Sequence, residues 1–166
     1  MRRMDGKIAL ISGAASGLGA AQAELFAKEG ASVVIGDIQE DKGAAVTERL
    51  VAAGGNVRFI QLDVTSADSW ANAVSFSAHE FGGLTTLVNN AGIFRMGGVR
   101  TTTSDIWSEV ISVNQTGTLL GMQAALSELD KAVGSSIINI ASIYAITPSP
   151  DALSYHASKS AVRMMS

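Results

Sequence analysis

Ile8-Ala9-Leu10-Ile11-Ser12-Gly13-Ala14-Ala15-Ser16-Gly17-Leu18-Gly19 is the stretch that decides the architecture. Ile8 to Ile11 is a short apolar run without polar alternation, the texture of a parallel strand covered on both faces. It turns directly into glycines, and helical spacing follows. Ala21, Leu25 and Phe26 share one side of the segment from Leu18 to Glu29, and Gly30 is a stop signal. Glycines let a backbone turn sharply and approach a pyrophosphate without an intervening Cβ. The free N–H groups and the positive end of the following helix then hold the phosphates. A glycine pattern alone also fits a plain tight corner, so the next acid matters. Asp37, followed by Ile38, closes the second apolar run (Val33-Val34-Ile35-Gly36-Asp37), 20 residues after Gly17. That offset suits a carboxylate that accepts from the adenosine ribose hydroxyls. A carboxylate there repels a 2′-phosphate, and no Arg or Lys stands at Ala14, Ala15 or Ser16. NAD is therefore favoured over NADP.

Outward from this loop, two textures alternate. Further apolar runs are Ser32–Ile35, Val57–Leu62, Leu84–Asn89 and Ser136–Ile140. Helical spacing separates them: Asp41 to Ala53, Ser66 to Phe81 with Gly82-Gly83 behind it, and a long segment from Thr103 to about Lys131. Repeated strand–helix alternation predicts a doubly wound parallel α/β sheet. The 166 residues suit one domain, residues 1–166. Twelve Lys and Arg against fifteen Asp and Glu leave a net charge of −3, which offers no basic footprint for nucleic acid or an anionic membrane. No Cys is present, which excludes disulfides, thiolate metal sites and Cys nucleophiles. Met1-Arg2-Arg3-Met4-Asp5-Gly6 is charged, but the apolar run behind it is too short for a signal peptide or a membrane helix. A cytoplasmic protein is expected, and Asn114-Gln115-Thr116 then matches the glycosylation pattern by chance. The two His, His79 and His156, lie in no cluster of acids, so no metal site is expected. His79 reads as a solvated or capping residue, and His156 as structural or cleft-lining.

The glycine spacing, G-x-x-x-G-x-G from Gly13 to Gly19, resembles that of the short-chain dehydrogenase/reductase family. Ser12 stands where that family usually has Thr, which keeps the hydroxyl. The resemblance continues along the chain. Asp63-Val64 matches a family position where the acid and the next backbone group contact adenine. Asn89-Asn90-Ala91-Gly92 matches the family's N-N-A-G segment, and Asn114 matches an Asn that holds a water in a proton path. Asn114 also interrupts an apolar stripe, and a buried polar group there needs partners. Ser142 follows the fifth apolar run, and Tyr155 and Lys159 stand 13 and 17 residues beyond it.

The resemblance implies a Rossmann-like three-layer αβα fold and a proton relay of Ser142, Tyr155, Lys159 and Asn114. It implies a dinucleotide held by Ser12, Gly13, Ser16, Gly17, Leu18, Gly19, Asp37, Ile38, Asp63, Val64, Asn90, Ala91, Gly92, Tyr155 and Lys159. Tyr155 and Lys159 are four apart and share a helix face. A phenol is ordinarily a poor base at neutral pH. A fixed ammonium and a nicotinamide cation favour its phenolate, which makes it a usable general base. Ser142 holds the substrate oxygen, and Lys159 also holds the nicotinamide ribose.

The expected activity is hydride transfer between a secondary alcohol or ketone and NAD. Two alternatives are a catalytically silent nucleotide-binding regulatory or assembly protein, and an NADP-linked carbonyl reductase. Tyr144, Ile146, Ile93, Phe94 and Met96 follow the catalytic strands and suit an apolar substrate. Apolar spacing still runs at Met164 and Met165 with no stop signal, so the chain reads as cut before the substrate-covering segment and inactive alone. The fifth strand is then an apolar edge. The family's homodimer or homotetramer pairs the 103–131 and 154–166 helices.

Overall fold

The computed structural model describes residues 2–166; Met1, the first residue of the charged opening, lies outside them. Strands are β1 (Ile8–Ser12), β2 (Ser32–Asp37), β3 (Asn56–Gln61), β4 (Thr86–Asn89) and β5 (Ser136–Asn139). Helices are α1 (Gly17–Lys28), α2 (Glu40–Ala52), α3 (Ala67–Phe81), α4 (Ser104–Ile111), α5 (Gly117–Leu129) and α6 (Leu153–Met164). The strands form one parallel sheet in the order β3-β2-β1-β4-β5. The expected doubly wound α/β fold is present.

The unalternating strands have a geometric reason. Successive side chains leave a strand on opposite faces, and here both faces are packed. Leu10 and Val34 join one core with Trp70, Val74 and Leu129, from α3 and α5. Their neighbours Ala9, Ile11, Val33 and Ile35 join the other, with Ala23 and Leu50 from α1 and α2. Each fully buried Leu, Ile or Val contributes about 1.5–3 kcal/mol. A polar residue at either parity therefore removes core. Trp70 is the largest side chain with no exposure. Its indole N–H is satisfied by donating to the Val64 carbonyl at 3.0 Å.

Caps set the ends. Ser66 accepts from the Ser69 N–H at the start of α3, and Gly82 closes that helix in the left-handed region at φ 86°. The long segment expected from Thr103 to Lys131 is not one uniform helix. Thr103 is its cap, accepting from the Ile106 N–H. Between α4 and α5 the backbone widens into a π-type turn, Ser112–Thr116, a form that recurs at functional sites. Asn114 sits in that turn with no exposure. The Thr118 hydroxyl donates to the Asn114 carbonyl at 2.8 Å, and so satisfies a group of the widened turn. The last helix begins at Leu153, ahead of Tyr155. Among the described residues β5 pairs with β4 alone, and Ile137 and Ile138 on it are 36% and 40% exposed. Among the described residues no helix is long and apolar enough to cross a membrane.

Candidate active site

The chain leaves β1 toward β2 on one side and later reaches β4 on the other. Their carboxyl ends therefore part and open a crevice, the usual ligand position in such sheets. A cleft of about 460 Å³ lies there. Its phosphate end is the β1–α1 loop: Gly13, Ser16, Gly17, Leu18 and Gly19 all line it. Gly13 and Gly17 adopt φ of 66° and 53°, which a side chain disfavours. A Cβ on Gly13 would also lie 2.7 Å from the Ala91 Cα. Around Gly17 nothing lies within 4 Å of a Cβ position, so the loop backbone is open on the cleft side. A Cβ on Gly19 would meet the Gly13 carbonyl and stand 2.6 Å from the Asn90 Nδ2. This bare backbone at a helix N-terminus fits a pyrophosphate.

Ser12 has a different place from the one expected. Its side chain is buried and outside the cleft lining. Its Oγ accepts from the Asn90 and Ala91 N–H groups at 3.1 and 3.2 Å. The Asn90 amide in turn donates to the Ser12 and Gly13 carbonyls at 2.9 and 3.1 Å. Ser12 thus ties the end of β4 to the glycine loop. Asn90, Ala91 and Gly92 line the cleft beside it.

Asp37 lies at the β2 end and lines the same cleft. Its Oδ2 accepts from the Ala15 N–H and its Oδ1 from the Gln39 N–H, both at 3.0 Å. An ionised carboxylate has about four acceptor positions. Two remain for ribose hydroxyls, and the two in use hold the loop against β2. Ile38 and Leu18 present exposed apolar side chains on this rim. Asp63 and Val64 line the cleft at the β3 end. Asp63 Oδ1 accepts from the Thr65 N–H and hydroxyl at 2.9 and 2.7 Å, which aims the carboxylate.

At the other end of the cleft, α6 contributes Tyr155 and Lys159. Lys159 is buried, and its ammonium donates to the Ile140 carbonyl at 2.6 Å. Its Nζ lies 5.9 Å from the Tyr155 ring centre. Burial lowers the Lys159 pKa from the ordinary lysine value. Ser142 opens a short 3₁₀ turn, and its Oγ accepts from the Tyr144 N–H at 3.1 Å. That leaves its hydroxyl proton without a partner among the described residues. Ser142 itself does not line the cleft, whereas Ala141 does. Asn114 is likewise outside the lining, and its amide is engaged by Ile93 and Ser158.

Several neighbours carry no sequence motif. Phe94 and Tyr144 set ring edges against Tyr155, with centres 5.1 and 6.1 Å away. His156 proves structural. Its Nδ1–H donates to the Tyr144 carbonyl at 2.7 Å, and its Nε2 accepts from the Ser149 N–H at 3.0 Å. One tautomer satisfies both and pins the 143–149 loop. His79 is exposed beside Glu80, as a solvated residue. Their positions after β4 and β5 marked Phe94 and Tyr144 in the sequence; that both set their edges on Tyr155 was not readable there, because the two loops are 50 residues apart.

The short chain dehydrogenase family model matches residues 7–166. The 2,5-dichloro-2,5-cyclohexadiene-1,4-diol dehydrogenase of Sphingobium indicum is 51% identical over 164 residues, covering 99% of this chain and 66% of that protein. The trans-4-hydroxycyclohexanecarboxylate dehydrogenase of Sinomonas cyclohexanicum is 45% identical, covering 95% and 62%. The chain thus spans somewhat under two thirds of the length of these curated relatives. A crystal structure of a short chain dehydrogenase/reductase from Burkholderia phymatum in complex with NAD superposes with a TM-score of 0.95. It is 32% identical and covers 99% of this chain and 59% of that one.

Proposed function

Because the chain belongs to the short chain dehydrogenase family, we propose that it serves an NAD-dependent oxidoreductase acting on a secondary alcohol or ketone. The observation that carries this is one cleft with Asp37 at its ribose end and Tyr155 with Lys159 at the other. The acid at Asp37 favours NAD over NADP, since a 2′-phosphate would meet its negative charge. When bound, NAD supplies the hydride acceptor. Ser12, Gly13, Ser16, Gly17, Leu18, Gly19, Asn90, Ala91 and Gly92 form or brace the seat of its phosphates and ribose. Asp37, Ile38, Asp63 and Val64 flank its adenosine.

Tyr155 takes the alcohol proton at its phenol oxygen. Ser142 donates to the substrate oxygen and aims it at Tyr155. Lys159 favours the phenolate through its charge, held in place by the Ile140 carbonyl. Asn114 extends the proton path. Phe94 against Tyr155, and the exposed apolar side chains of Met96, Ile143 and Ile146 in the loops after β4 and β5, suit an apolar, alicyclic substrate, and the two curated relatives are named for substituted cyclohexane and cyclohexadiene alcohols. The same reading places the protein in the cytoplasm as one domain. It forms a homodimer or homotetramer through α4–α5 and α6, where Trp107, Leu119 and Leu126 are exposed.

The test, run on the protein at the full length of its relatives because the chain alone is expected to be inactive, is NADH absorbance with cyclohexanol as the probe alcohol, wild type against Tyr155→Phe, with NAD affinity by calorimetry. The expected result is turnover in the wild type, at least a hundredfold loss in the variant, in line with general-base contributions of about 10²–10⁴, and unchanged NAD affinity. Normal turnover in Tyr155→Phe sinks the assignment. NAD binding without any turnover favours a silent nucleotide-binding protein.

A further inference from the structure

Ser158 has no exposure and lies one residue before Lys159, yet it faces away from the cleft. Its Oγ donates to the Tyr155 carbonyl at 2.9 Å and accepts from the Asn114 Nδ2 at 3.1 Å. The second Asn114 Nδ2 hydrogen goes to the Ile93 carbonyl at 2.9 Å, and Asn114 Oδ1 accepts from the Ile93 N–H at 2.8 Å. Every donor of that amide is used, and its orientation is forced. Flipping it would set its NH₂ against the Ile93 N–H and its oxygen against the Ile93 carbonyl. The chain of bonds is continuous and buried: Ile93 after β4, Asn114 in the widened turn, Ser158 and then the backbone of Tyr155.

Three separate elements are joined through the Asn114 amide, and Ser158 is the side chain by which α6 takes part. Lys159, His156 and Ser160 tie α6 to the segment from Ile140 to Ser149. The Ser158–Asn114 bond ties it to the turn on its other side, so rotating or sliding α6 against that turn breaks this bond. Such a movement displaces Tyr155 and Lys159 together, because they share its face. It also parts Tyr155 from Phe94, which follows Ile93 and sets its ring edge on the Tyr155 ring. Among the described residues, nothing else in the Asn114 turn gives α6 a side-chain hydrogen bond. We propose that Ser158 is a positioning residue that locks α6 to the Ile93 segment through Asn114, and so sets where the Tyr155 phenol stands. Its importance to turnover rests on the dehydrogenase reading above; the lock itself does not.

The chain has only two Tyr, Tyr144 and Tyr155, so a carbon-13 label at the tyrosine Cζ gives two resonances. Tyr155→Phe assigns them. In Ser158→Ala the Tyr155 resonance should move, while kcat for cyclohexanol oxidation falls about ten- to hundredfold, the order expected of a displacement near 1 Å. KM for NAD should stay within about twofold, since Asp37 and the glycine loop are untouched. Ser77→Ala is the control for lost stability alone. Ser77 is equally buried and donates to the Gly83 carbonyl at 2.8 Å, far from the cleft. It should leave the Tyr155 resonance and kcat as they are. Should Ser158→Ala not fold, Ser158→Cys keeps a weaker donor and acceptor and should give a smaller displacement in the same direction. A Tyr155 resonance unmoved in the folded Ser158 variant overturns the proposal, as does an equal movement in Ser77→Ala. A moved resonance with no turnover in any protein upholds the lock and defeats the dehydrogenase reading.

Discussion

Asp37→Asn separates the two tasks assigned to one carboxylate. The native side chain accepts from Ala15 N–H through one oxygen and from Gln39 N–H through the other, each at 3.0 Å. An amide has one oxygen. Whichever way it turns, its NH₂ faces a backbone N–H, and that donor loses its partner. Ala15 is buried and Gln39 exposed, so the amide keeps its oxygen on the Ala15 N–H and water takes the Gln39 N–H. What is lost is one hydrogen bond to a charged acceptor and the charge assistance of the other, about 1.5–3 kcal/mol. At the midpoint, about 2 kcal/mol, the melting temperature of a chain of this length falls by about 4–8 °C. The loop is then held less firmly against β2, and the ribose loses a charged acceptor. NAD affinity should drop about tenfold, equivalent to about 1.4 kcal/mol. NADP should lose less or gain, because the charge opposing its 2′-phosphate is gone. Thermal unfolding followed by circular dichroism reads the first effect, and calorimetric titration with each dinucleotide reads the second. A melting temperature within about 1 °C of wild type, together with unchanged selectivity, would refute the reasoning.

Two further outcomes follow from the same geometry. Burial holds the Lys159 ammonium below the ordinary lysine pKa of 10.5, so the folded state binds that proton less tightly than the unfolded chain. Stability withheld at neutral pH then returns as pH rises from the lowered pKa toward 10.5. Urea midpoints of wild type should gain on those of Lys159→Met across that window, and a difference flat with pH counts against it. Gly19→Ala forces a methyl against the Gly13 carbonyl and the Asn90 amide. Overpacking of this kind costs about 1–3 kcal/mol, and the displaced loop should lower NAD affinity; calorimetry showing wild-type affinity contradicts the tight seat.

Local signals made the sheet legible. Unalternating Val, Ile and Leu could only suit strands packed on both faces, and glycines closed the helices at fixed places. The glycine loop was readable for the same reason: steric demands on a backbone act over a few residues and leave residue types behind. Asp37 was found by its offset, because one helix and one strand span a nearly constant length of chain. Ser12 shows where such reading stops. A hydroxyl beside a glycine loop reads in sequence as a polar residue near a site, and folding set it beneath the loop, bonded to the end of β4.

Asn114 is the intermediate case. A polar residue in an apolar helical stripe announced a buried partner without naming it. The partner was Ile93 backbone together with Ser158, brought together from segments 21 and 44 residues away. Periodicity reports which face of an element turns inward, since that follows from the element's own geometry. It does not report which atoms of another element will stand opposite, since that depends on how helices seat on the twisted sheet. The residue types that line the cleft could therefore be read along the chain. The placement of Tyr155, Lys159 and Asn114 relative to one another exists only once the 112–116 turn, α6 and the end of β4 have packed.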